Sequence, residues 1–121
     1  MRKQYSGLMV RGAWLVGAGA LLAAMAVTSA RADDGKALFD KNCVACHGAG
    51  GKGDGPAGKM LKPPPGDLAT ALKGKSDADV AKVIKEGGKA VGKSASMPPY
   101  GSKLSDAQIQ DVVQYIKSLG K

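Results

Sequence analysis

The chain has 121 residues, 44% hydrophobic and 23% charged, with a formal net charge of +8. The first 32 residues hold half of that surplus and every arginine, leaving 14 lysines against 10 acids, or +4, on residues 33–121. Lysine alone offers no planar fork for bases or phosphates, so the charge points away from a nucleic-acid site and toward a solvated lysine surface. Lysines ringing a reactive site would also steer an acidic partner.

Arg2, Lys3 and Arg11 form a positive segment, and Gly12 to Ala30 is uncharged with an apolar centre from Leu15 to Val27. Ala30-Arg31-Ala32 has the Ala-x-Ala form of a peptidase site. This pattern predicts a secretory signal peptide over residues 1–32, cut after Ala32, and a periplasmic protein. An uncleaved membrane anchor is the rival reading, since 19 uncharged residues just reach across a bilayer. The Gly/Ala-rich composition and the cleavage pattern favour processing. Residues 33–121 are then one domain.

Asp34 is placed to cap a helix from about Lys36 to Cys46, with Gly35, Leu38 and Phe39 on one face. Gly48 to Gly58 then carries six glycines and a proline, and Pro63-Pro64-Pro65 follows. A loop this long inside a compact domain usually serves a function. Glycines would let its backbone approach a flat ring closely. Asp67 is placed to cap a short helix over Leu68 to Lys73. Ser76 with Asp79 opens a better one, striped by Val80, Val83 and Ile84 and stopped by Gly87-Gly88. Ala90 to Lys103 reads as a loop holding Met97-Pro98-Pro99-Tyr100. Ser105 with Gln108 forms a capping box for a last helix over Asp106 to Leu119. Its Ile109, Val112, Val113 and Ile116 mark one buried face. No segment alternates with period two, so the pattern predicts an all-α fold of about four helices.

The core looks thin. Trp14 falls in the leader, and residues 33–121 offer only Phe39, Tyr100 and Tyr115 as aromatics against 14 glycines. A domain this small usually needs a staple.

Cys43-Val44-Ala45-Cys46-His47 supplies one. It holds both cysteines and the only histidine, and Cys-x-x-Cys-His is the pattern of c-type haem attachment. Two thiols three positions apart can each add across a vinyl group of one porphyrin, and the next side chain lies where an imidazole reaches the iron. A structural zinc site wants four protein ligands, and no second cluster exists. A redox dithiol would accompany a βαβ pattern, and a disulfide closing so small a loop staples little. Met97 and Met60 are the methionines left for a second axial ligand. Met97 is preferred, because Pro98-Pro99 have fixed φ and would stiffen its loop. Met60, between Lys59 and Lys62, reads as flexible core filler.

These residues together resemble the small class I cytochromes c over nearly all of residues 33–121. The resemblance implies that Cys43 and Cys46 bind haem c as thioethers and that His47 and Met97 are the axial iron ligands. It also implies that the Pro56 carbonyl accepts a hydrogen bond from His47 Nδ1. Gly35 and Phe39 should meet Val112 and Tyr115 where the terminal helices cross. The Gly53-to-Gly58 and Met97-to-Gly101 runs look bacterial. The tryptophan that meets a haem propionate in mitochondrial members has no counterpart.

A site closed by His and Met favours single-electron transfer between redox proteins over catalysis. Lysines such as Lys52, Lys59, Lys93 or Lys103 would guide a transient partner at the haem edge. Two other readings are an electron-transfer subunit of a larger periplasmic oxidoreductase and an open-site haem protein that binds gases or peroxide. N-terminal sequencing of the exported protein should begin at Asp33; a chain still beginning at Met1 in washed membranes would reverse the cleavage reading.

Overall fold

A computed structural model of the chain describes residues 20–121, with side chains from Arg31 onward. The positive segment of the expected leader and the first part of its apolar stretch lie outside the described residues. Helix α1 runs over Ala20–Asn42, α2 over Val44–His47, α3 over Leu68–Ala71, α4 over Asp77–Glu86 and α5 over Asp106–Ser118. Short 3-10 turns occupy Gly58–Met60 and Lys89–Val91. No strand occurs among the described residues, as the sequence pattern predicts. None of the helices among them is long and apolar enough to cross a membrane.

The first helix departs from expectation at both ends. Asp34 lies inside α1 and caps nothing, because the alanine-rich segment before it continues the helix; the cleavage position Ala32 is inside it too. At the other end the expected helix to Cys46 breaks at Cys43. An unbroken helix would bond Cys46 N–H to the Asn42 carbonyl four residues back. Instead Cys46 N–H donates to Cys43 O at 3.2 Å, and the Asn42 carbonyl accepts from the Tyr100 hydroxyl at 3.0 Å.

The later helices begin as their sequences dictate. Ser76 Oγ accepts from Asp79 N–H while Asp79 accepts from Ser76 N–H. Ser105 and Gln108 do the same at the start of α5. Asp67 accepts from Ala69 N–H and starts α3, which is two residues shorter than expected. Gly87, at φ 82°, ends α4 in a conformation that side chains resist.

Phe39, Val80, Ile84, Leu104, Ile109, Val112, Val113 and Ile116 form the buried core. All four positions of the α5 stripe are in it. Val83 is half-buried and faces a cavity instead. Each fully buried side chain of this kind contributes about 1.5–3 kcal/mol. The terminal helices cross at Gly35, where the ring of Phe39 packs on that of Tyr115 at 5.3 Å and 58°. Lys85 pairs with Asp106 at 2.7 Å, tying the end of α4 to the start of α5. Lys117 and Gln114 both bind Asp77, tying the start of α4 to the end of α5. The two helices are therefore antiparallel and latched at both ends. Exposed latches of this kind contribute at most about 1 kcal/mol each.

A Cβ on Gly35 would stand 2.2 Å from the Asp111 carbonyl oxygen. Gly35→Ala should therefore destabilise the fold by about 1–3 kcal/mol through forced separation of the helices. Urea titration checks this, with a lower midpoint and an unchanged slope expected.

Candidate functional site

The break at Cys43 decides where the pentapeptide points. α2 is a single turn, closed by His47 N–H on Cys43 O at 2.9 Å and Gly48 N–H on Val44 O at 2.9 Å. Gly48 then turns the chain at φ 78°. Cys43, Cys46 and His47 from this turn line one cavity of about 700 Å³, and Met97 lines it too. That size lies within the roughly 300–1,000 Å³ common for small-molecule sites. The remaining wall is mostly apolar, built from Pro63-Pro64-Pro65, α3, one face of α4, the Met97 loop and the core side of α5.

Both cysteines are free and half-buried. Burial, with Cys46 adding to it, pushes the Cys43 thiol up to about 11, so it stays protonated at neutral pH. Burial holds the His47 imidazole below its ordinary value, in the neutral form a metal ligand needs. His47 Nδ1 is buried with no hydrogen-bond partner. The bond expected from Nδ1 to the Pro56 carbonyl is therefore not made, and Pro56 is exposed. Other groups tie its loop to the motif: Gly53 N–H donates to His47 O at 2.8 Å and Ala57 N–H to Ala45 O at 2.9 Å.

The glycines of this loop serve a different surface from the one expected. None from Gly48 to Gly58 lines the cavity. A Cβ on Gly55 would lie 2.5 Å from the Ala45 and Val44 carbonyl oxygens, and one on Gly58 would lie 2.0 Å from the Cys46 oxygen. Gly55 and Gly58 let the loop lie against the backbone of α2, behind the motif, and Gly53 lets it pass close to the Pro65 carbonyl. The proline run supplies the wall facing the cavity.

The two methionines separate cleanly. Met97 is half-buried in the cavity wall, whereas Met60 is 82% exposed and fills no core. The Met97 loop is fixed to the end of α4. Tyr100 N–H donates to Ile84 O at 2.9 Å and Gly101 N–H to Lys85 O at 3.0 Å. Helices leave such terminal carbonyls unpaired, so the loop completes the helix. Gly88 N–H donates to Met97 O at 3.0 Å, and a Cβ on Gly88 would strike Ser94 O at 2.0 Å.

Of the four lysines singled out, only Lys93 reaches the cavity wall. Lys75 and Lys82 reach it too, with Asp79 between them on α4. Asp79, Lys82 and Val83 share one face of α4, and Lys75 stands just before its Ser76 cap. Lys103 instead lies over the Tyr100 ring at 5.6 Å. Tyr100 itself was passed over because its partner is 58 residues away.

A family model described as cytochrome c matches residues 32–120. The chain belongs to the cytochrome c family. It is 42% identical over 82 residues to the cytochrome c6 of Limnospira maxima, covering 68% of this chain and 85% of that protein. Against the cytochrome c6 of Microcystis aeruginosa it is 36% identical over 83 residues, covering 69% and 90%. It is also 33% identical over 92 residues to the cbb3-type cytochrome c oxidase subunit CcoP of Azospirillum brasilense, covering 76% of this chain but 30% of that subunit. The chain thus spans less than a third of the oxidase subunit it matches.

Haem c is the cofactor of a cytochrome c domain with this cysteine pair. The residues present fit it. A mostly apolar cavity carries two free thiols, a buried neutral imidazole and a thioether on its wall. Changing both Cys43 and Cys46 to Ser should leave haem extractable by acidified organic solvent, while the wild-type chain keeps it. Retention by the double variant would locate the attachment elsewhere.

Proposed function

We propose that this domain is an exported, periplasmic one-electron carrier, with Cys43 and Cys46 holding haem c through thioethers and His47 and Met97 as its axial ligands. The observation that carries the reading is the placement of Met97, stiffened by Pro98-Pro99, on the wall that also holds His47. Haem c, when bound, supplies a one-electron couple at a single iron. Everything else falls to the chain. His47 presents a neutral imidazole, and the thioether of Met97 favours the reduced state and so raises the potential. If His47 and Met97 both hold the iron, no position would remain for a substrate, which favours electron transfer over an open-site enzyme. The proline run, α3 and α4 would keep water from a haem seated in the cavity. Pro56 is kept as the candidate partner of His47 in the haem-bound protein, because Nδ1 has no other partner and the Pro56 loop is tied to α2 on both sides.

Lys75, Lys82 and Lys93 give the cavity mouth a cationic rim suited to brief, salt-sensitive docking of an acidic redox protein. Removal of residues 1–32 would shorten α1 yet spare Gly35 and Phe39, its contacts with α5. The relation to CcoP supports a second reading, a module within an oxidase complex. Coverage of 85% of a cytochrome c6 favours the free carrier.

Voltammetry of the holoprotein should give a reversible one-electron wave. Met97→Ala should lower its potential and abolish the low-spin His/Met spectrum. A spectrum unchanged by the substitution would refute Met97 as a ligand.

A further inference from the structure

Tyr100 makes three connections at once. Its hydroxyl donates to the Asn42 carbonyl at 3.0 Å, at the break between α1 and α2. Its backbone N–H donates to Ile84 O at 2.9 Å, at the end of α4. Along the chain it stands three residues after Met97, across two prolines of fixed φ. Its ring lines the cavity between them. The Asn42 carbonyl is the one that Cys46 N–H releases when the helix breaks, so without the phenol it has no partner within the fold. Burial pushes the phenol above its ordinary value and keeps it a donor. The hydroxyl is thus the link between the segment that carries the cysteines and His47 and the segment that carries Met97, and both residues it joins lie on the cavity wall.

We propose that Tyr100 is a positioning residue for the distal ligand: its hydroxyl ties the Met97 loop to the haem-attachment turn and sets how firmly the thioether is held in place. This rests on the assignment of Met97 as an axial ligand. The loop keeps its anchors on α4 when the hydroxyl is lost, because Tyr100 and Gly101 bond there through backbone N–H groups. Only the connection to α1 is released. Lifting Met97 away then no longer breaks the Tyr100–Asn42 bond, and an outside ligand competes better for its place. One such bond corresponds to about fivefold in that equilibrium.

The test titrates oxidised holoprotein with imidazole, following the absorption spectrum, for wild type, Tyr100→Phe, Ser76→Ala and Met97→Ala. Tyr100→Phe keeps the ring and removes one oxygen. Ser76→Ala removes the α4 cap at the end remote from Met97 and so reports general destabilisation. Imidazole should bind Tyr100→Phe about fivefold more tightly than wild type, and Ser76→Ala with wild-type affinity. Wild-type affinity in Tyr100→Phe, whatever its melting temperature, would overturn the proposal and leave the bond a purely structural one. An equal gain in Ser76→Ala would overturn it as well. Failure of the underlying ligand assignment looks different: Met97→Ala would then bind imidazole no better than wild type. A second measurement needs no variant. The Tyr100 hydroxyl proton of the wild-type protein should exchange slowly and speed up on saturation with imidazole; an unchanged rate would also overturn the link.

Discussion

Gly35 lies so close to α5 that a methyl group there would overlap the Asp111 carbonyl. That approach lets Phe39 pack on Tyr115 and Val112, and it fixes where α1 ends relative to the rest of the core. The haem-attachment turn begins one residue beyond that end. The direction of Cys43, Cys46 and His47 is therefore inherited from a helix crossing about two turns upstream. α5 in turn anchors α4 through Asp77 and Asp106, and α4 carries the Met97 loop. Two sides of one cavity are thus hung from a single contact.

The parts of this architecture visible in the sequence are those encoded locally. Ser76 with Asp79, and Ser105 with Gln108, announce their helices because the partners sit three residues apart. The stripe from Ile109 to Ile116 announces its buried face for the same reason. The attachment motif and the proline-flanked Met97 are equally local. The break after Asn42 is not, since the carbonyl it frees is taken up by a hydroxyl 58 residues away. The glycine-rich loop was legible as a close-packing segment, but its surface was not: glycine records that something comes near without saying what. Here it is the back of α2 for Gly55 and Gly58 and the proline run for Gly53. The lysines of the rim depend on which face of α4 meets the cavity, a tertiary fact that the spacing of Lys75 and Lys82 only suggests.

A domain with so few aromatic side chains lines an open-mouthed cavity of about 700 Å³. Apolar walls around that volume have little to pack on within the chain, and dispersion contacts are lost wherever a wall lacks a facing atom. The porphyrin of a cytochrome c supplies those facing atoms. Core and cofactor are then the same thing, and the chain's economy in Phe, Tyr and Trp follows from the size of what it binds.

The union of the Met97 loop with α4 has a dynamic consequence. Tyr100 and Gly101 close the last carbonyls of that helix, and Gly88 closes the Met97 carbonyl in return. Neither partner can loosen without exposing polar backbone of the other, so loop and helix end form one cooperative unit that opens and closes together. The segment that moves least in sequence terms, a helix end, then governs the lifetime of the segment that would otherwise move most. Persistence of the cavity wall at Met97 is a property of α4 as much as of the loop itself.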